Sequence, residues 1–249
     1  MRKAVKVTLI ALFWVLVWQI IALLIGNVLL FPDPLTVVKR LCQMVITSTF
    51  WLSLSTSLLR VMIGIIIAIF AGTVLAILSS RLKFLYELLF PMMTIIKATP
   101  VASFIILIVI FIGRDTVPTV ISLLMVMPVI WTNVYEGILN IDKDLKEVCT
   151  LYKFSAQKRL QVLYFPSVMP YFTSAVLSSI GLGWKAGIAA EILYPPIESI
   201  GRAILESKQL LLTEDLFAWT LVVIMLSFTF EVLLKLALKQ TNKKKRVTK

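Results

Sequence analysis

Long apolar runs, separated by short polar or proline-bearing breaks, set the pattern of this chain. The first runs from about Val7 to Phe31, too long for the apolar core of a signal peptide and without a small-residue cleavage site, so it is expected to be a membrane helix. Phe31-Pro32-Asp33-Pro34 stops it, because proline lacks the N–H a helix needs and restricts the residue before it. Leu35 to Ser53 is mixed in polarity and reads as a surface or interfacial helix. Further spans are expected at about Leu54–Leu78, Met92–Ile112, Val117–Leu139, Val168–Leu193 and Leu216–Leu238, which gives about six crossings of an all-α polytopic membrane protein.

Within the second run, Gly64, Ala68, Gly72 and Ala76 recur every fourth position and line one face, where another helix can approach closely. The third run is interrupted at Ala98-Thr99-Pro100 and the fourth contains Pro128. Two proline-bearing spans in succession point to helices that face protein or a cavity, where the freed carbonyls find partners. Between the fourth and fifth spans, Asp142 to Phe165 is charged and amphipathic. Leu145, Val148, Cys149 and Tyr152 fall on one stripe of a short helix, and Ser155 is placed to cap a second one ending at Pro166. Tyr194 to Asp215 reads as a loop.

Composition agrees with this reading. Apolar residues make up 59% of the chain and charged residues only 15%, too little polar surface for a water-soluble fold. The net charge of +12 would bring nucleic acid to mind in a soluble protein, but its placement argues for a membrane instead. With the N-terminus in the cytoplasm, 17 basic residues fall on inner segments and 5 on outer ones, so both termini, the 142–165 loop and the basic tail at about 239–249 are expected on the cytoplasmic side. Arg60, Lys97 and Lys185 remain within spans.

Several chemistries are excluded. The chain has no histidine, hence no Ser-His or Cys-His pair and no helical His-Glu-x-x-His metal site, and its two cysteines, Cys42 and Cys149, form no ligand motif. No phosphate-binding Gly-x-x-x-x-Gly-Lys-Ser/Thr loop occurs, so the chain cannot hydrolyse ATP alone. No metal and no catalytic residue is expected. An amphipathic pair of helices held between two spans is shaped to dock into a groove on another protein or to lie on anionic lipid.

The loop carries a resemblance. Glu147-Val148-Cys149, then Lys153, then Leu163-Tyr164-Phe165-Pro166 match in spacing the Glu-Ala-Ala loop of binding-protein-dependent ABC importer permeases, in which a Gly follows the last Ala by four residues. Ser57-Leu58-Leu59-Arg60, Gly64, Gly72, Pro91, Pro100, Gly113, Gly183-Trp184-Lys185 and Ala190-Glu191 extend the resemblance over about residues 50 to 240, toward the nitrate, sulfonate, taurine and pyrimidine-precursor branch. Val148-Cys149 replace the two alanines and Lys153 the glycine; if that position takes a left-handed turn, lysine costs on the order of 1 kcal/mol there.

The resemblance implies a type I permease fold filling residues 1–249 as one transmembrane domain. It also implies two permease copies in a homodimer, two ATPase subunits that bind ATP and Mg, and an extracytoplasmic substrate-binding protein, in a bacterial inner membrane. The chain itself would bind no cofactor. Leu145, Glu147, Val148, Cys149, Tyr152, Lys153 and Pro166 are then the expected ATPase-coupling residues. Lys97, Pro100, Trp184, Lys185 and Glu191 are the candidates for the translocation path, with the two lysines favouring an anion and Trp184 able to stack on a planar solute. The competing reading is a stand-alone ion-coupled carrier using Glu136 and Glu191.

Overall fold

A computed structural model describes residues 2–247, with side chains from residue 5 to residue 236, and the described chain is helical throughout. Helix α1 (Arg2–Ile25) is followed by α2 (Pro34–Val45), whose N-cap Asp33 accepts hydrogen bonds from the Leu35 and Thr36 amides. Helix α3 (Ser48–Arg81) is capped by Thr47 and runs 34 residues. The expected second span therefore starts earlier than Leu54 and extends past Leu78. Helices α4 (Lys83–Ala98) and α5 (Val101–Phe111) come next, then α6 (Val117–Leu139), which matches the expected fourth span.

After α6 come α7 (Lys143–Leu151) and α8 (Ala156–Arg159), a π turn at Leu160–Tyr164, and α9 (Phe165–Leu193). Helix α10 (Ile200–Gln209) occupies the stretch read as a loop, and α11 (Thr213–Val247) ends the chain. The side chains of the basic tail at about 239–249 lie outside the described residues.

Five helices are long and apolar enough to cross a membrane, and α4 with α5 forms a pair, bent by 110°, that makes a sixth if it counts as one span. The interruption expected at Ala98-Thr99-Pro100 in the third run is a break between two helices. Pro100 has no N–H to continue the α4 ladder, Thr99 is extended as residues before proline tend to be, and the chain turns at this point. Pro91, expected to end a segment, instead sits inside α4. The pair leads from the end of α3 to the start of α6. Arg81 at the finish of α3, Ile138 near the finish of α6 and Arg159 on α8 line one cavity, so these ends lie together, beside the loop. We refer to this as the loop end.

A second correction concerns Pro166, expected to terminate a loop helix before a separate span at Val168. Residues Ala156–Leu193 form one continuous helical rod of 38 residues. In an α-helix the proline ring collides with the carbonyl four residues back. Here the turn just before it widens, with the Phe165 amide reaching the Leu160 carbonyl, and the rod passes through.

The centre of the bundle is α6, packed between α3 and α9. Gly64, Ala68, Gly72 and Ala76 are all buried on the α3 face turned to it. A Cβ on Gly64 would lie 2.2 Å from the Thr119 carbonyl oxygen, so the backbones touch where only glycine fits. By contrast α1 is almost wholly exposed along its span. It is held at its far end, where Trp18 Nε1 donates to the Pro32 carbonyl and stacks on Phe217.

Candidate functional site

Three groups of polar residues stand out in the bundle. The first lies at the end opposite the loop. Glu191, on the last turn of α9, is completely buried, with Oε2 accepting from Ser57 Oγ at 2.7 Å and from the Gly201 amide at 3.2 Å. Ser57 Oγ accepts in turn from the Ile200 amide at 2.8 Å. The carboxyl and hydroxyl thus satisfy two of the free amides at the start of α10, and a carboxylate at a helix N-terminus is favoured by the helix dipole. Glu191 Oε1 has no partner.

One turn along α3, Arg60 donates to the carbonyls of Ile197 and Glu198 and pairs with Asp115 at 3.1 Å. Its backbone carbonyl accepts from Thr119. Ser57 and Arg60 therefore tie α3 to the 194–201 segment and to the turn before α6. The sequence made Glu191 a candidate for the translocation path and kept Arg60 within a span; in the structure both bond the segment that leads into α10, here called the latch.

The second group lies along α4 and α6. Lys97 Nζ donates to Thr132 Oγ1 at 2.6 Å, and Glu136, one turn further on the same face of α6, is near enough to interact with its charge. Pro100 makes the bend three residues later. Lys185 is exposed on α9. Trp184 is not with them: it is fully buried, its Nε1 donates to the Val223 carbonyl at 3.2 Å, and its ring meets Phe230 edge-on at 5.1 Å. It packs α9 against α11, which leaves no free ring face for a solute. Nothing in the sequence but the pairing of Lys97 with Thr132 and Glu136 at helical spacing could have signalled this polar seam.

The third group is the loop itself. Asp142 caps α7 by accepting from the Asp144 amide. The stripe read from the sequence divides. Cys149 is buried with Ile141 and Leu163, and holds the loop to the start of the long rod. Leu145, Val148 and Tyr152 stay 50%, 44% and 69% exposed, and Glu147 is exposed beside them. Pro166 is exposed at the base of α9.

Lys153 has a φ of 49°, the left-handed region. Its amide bonds the Thr150 carbonyl and the Phe154 amide bonds the Cys149 carbonyl, both at 3.0 Å, while Phe154 packs onto the Cys149 cluster. This is the Schellman ending of a helix, in which the left-handed position favours glycine. The turn geometry expected for a glycine is present with a lysine in it. Ser155 then caps α8 by accepting from the Lys158 amide.

Five helices able to cross a membrane, a bent pair beside them and an exposed amphipathic loop between two of the five make the build of a polytopic membrane protein. Residues 64–247 match the family described as binding-protein-dependent transport system inner membrane component, and the chain belongs to that family. It is a multi-pass inner membrane protein, the permease component of an ABC importer, and not itself the catalytic subunit.

The nitrate import permease of Synechococcus elongatus is 29% identical over 189 residues, which is 71% of this chain and 67% of that protein. A bicarbonate transport system permease of the same organism is 31% identical over 163 residues, 64% of this chain and 58% of that protein. The taurine transport system permease of Escherichia coli is 23% identical over 224 residues, 86% and 80% of the two chains.

Proposed function

We propose that this chain forms the path for a small anion, as a homodimer carrying two ATPase subunits and fed by an extracytoplasmic binding protein. ATP and Mg are bound on the ATPase subunits. The 142–166 loop and both termini face the cytoplasm, and residues 1–249 act as one permease domain. The observation that carries the reading is the loop's exposed apolar surface, Leu145, Val148 and Tyr152, beside Glu147 and around a Schellman turn at the spacing of the family's coupling loop. Exposed apolar side chains on a segment outside the spans favour burial against a protein partner.

In this reading closure of the ATPase pair brings the two loops together. Cys149 and the Schellman turn keep each loop rigid, and the continuous helix from Ala156 delivers the displacement to the spans. Lys97 is the residue proposed to meet the solute, because an ammonium in a span marks a site for negative charge. The nitrate, bicarbonate and taurine names of the relatives support an anion, as does Lys185 on the neighbouring rod. Trp184 and Glu191 take structural roles.

The test is Leu145→Asp or Val148→Asp, with co-purification of the ATPase subunit, transport and membrane insertion all measured. A charge in an apolar dock costs several kcal/mol unless paired, so ATPase association and transport are lost while insertion is kept. Unchanged co-purification overturns the docking role.

A further inference from the structure

At the loop end, a cavity of about 790 Å³ opens between the ends of α3 and α6 and the first turns of the long rod. Its wall is mostly apolar, with Ile138, Val168, Met169 and Phe172 prominent, and two guanidinium groups, Arg81 and Arg159, stand at its polar rim. No acidic side chain lines it. Arg159 Nε donates to the Phe154 carbonyl, which fixes the guanidinium at the rim, and among the described residues no carboxylate pairs with either arginine. Arg81 ends α3 and Ile138 sits one residue before the end of α6, so the rim lies at the ends of these two spans. The widened turn at Leu160–Tyr164 contributes Leu160 and Tyr164 to the wall, and π turns are frequent at functional sites.

An apolar wall below a doubly cationic rim at the ends of two spans is complementary to one kind of molecule. The geometry points to a binding site for an anionic phospholipid, its phosphate held between Arg81 and Arg159 and an acyl chain laid along Ile138, Val168 and Phe172. A soluble anion would use the rim and leave the apolar wall bare, and a zwitterionic lipid would bring a cation to the two arginines. The lipid would sit against both the coupling loop and the rod, at the joint where loop motion enters the spans. The assignment of this end to the anionic cytoplasmic leaflet rests on the proposed orientation of the permease; the binding chemistry does not.

The full chain, purified in detergent and stripped of lipid, is mixed with phosphatidylglycerol and phosphatidylcholine of matched chains, and retained lipid is read by native mass spectrometry. Wild type is expected to retain phosphatidylglycerol selectively. Arg81→Gln with Arg159→Gln is expected to weaken that retention about thirtyfold, from the contribution each basic residue makes near a lipid headgroup.

Met169→Trp, which fills the apolar arm and keeps both arginines, is expected to lose the bound lipid as well. Lys83→Gln with Lys143→Gln removes the same charge from outside the cavity and is expected to change nothing. Equal retention of the two lipids by wild type, survival of the preference in either cavity variant, or its loss in the lysine control overturns the site. Because the assay contains no ATPase and no membrane, its failure is separate from failure of the docking or orientation readings, which Leu145→Asp tests.

Discussion

The two ends of the bundle handle their polar and apolar groups in opposite ways. At the latch end, Ser57, Arg60 and Glu191 are polar residues in or near spans, and their hydrogen bonds are spent on neighbouring segments of the same chain. At the loop end, Leu145, Val148 and Tyr152 are apolar residues outside the spans that touch little of this chain. The contrast separates architecture from recognition. Glu191 caps α10 through Oε2, which supports a structural role for it, while Oε1 is left without a partner. The exposed loop leucine and valine have no such account within the chain.

Glu191→Ala is expected to give the largest effect. It leaves the Ser57 hydroxyl and the Gly201 amide without their acceptor in a buried site, at about 1–3 kcal/mol for each group so stranded. The measurable result is loss of folded protein in detergent, seen as a lower melting temperature and yield. If Glu191→Ala keeps its stability and loses only uptake, the latch is not structural and the path reading of Glu191 returns.

Leu145→Asp is the mirror experiment: normal stability, with loss of ATPase binding. Together the two variants break the comparison if they give the same phenotype.

Lys97→Met falls between the two regions. It is expected to lower uptake at least tenfold while leaving ATP hydrolysis by the complex intact, because it removes a charge from the proposed path without touching loop or latch. Wild-type uptake would remove Lys97 from the path.

The smallest effect is expected at Lys153. Replacing it with glycine relieves a left-handed lysine by on the order of 1 kcal/mol, read as slower amide exchange across residues 150–154 with transport kept or slightly improved. Loss of transport would show that the ammonium itself contacts the partner.

Most of the spans were legible because a helix in lipid needs a long apolar run and proline, glycine and charge end it. Val117–Leu139 was read to the residue for this reason. The small-residue face of α3 was legible as well, since spacing by four needs no knowledge of the partner helix. What was not legible depended on contacts between distant positions. Ser57 and Glu191 are 134 residues apart, and nothing local marks them as partners. Pro166 looked like a stop because a sequence does not reveal that the preceding turn widens to admit the ring. The stripe on α7 gave the right helix but could not divide its residues between Cys149, turned toward the chain, and Leu145, Val148 and Tyr152, turned away. Trp184 beside Lys185 looked like one site, although neighbours on a helix point about 100° apart and only one of them is buried.

The unbroken rod from Ala156 to Leu193 has a mechanical consequence. At roughly 1.5 Å per residue it is about 57 Å long. One tip is clamped, because Glu191 is fastened to Ser57 and Gly201; the other carries the only part of the rod attached to the exposed loop. A beam fixed at one end and pushed at the other swings about its anchor, so displacement shrinks steadily with distance from the push. Under the proposed coupling, residues near the loop would sweep most and those near Glu191 least, so a small solute beside the middle of the rod would meet an aperture whose width is geared down from the stroke applied at the loop.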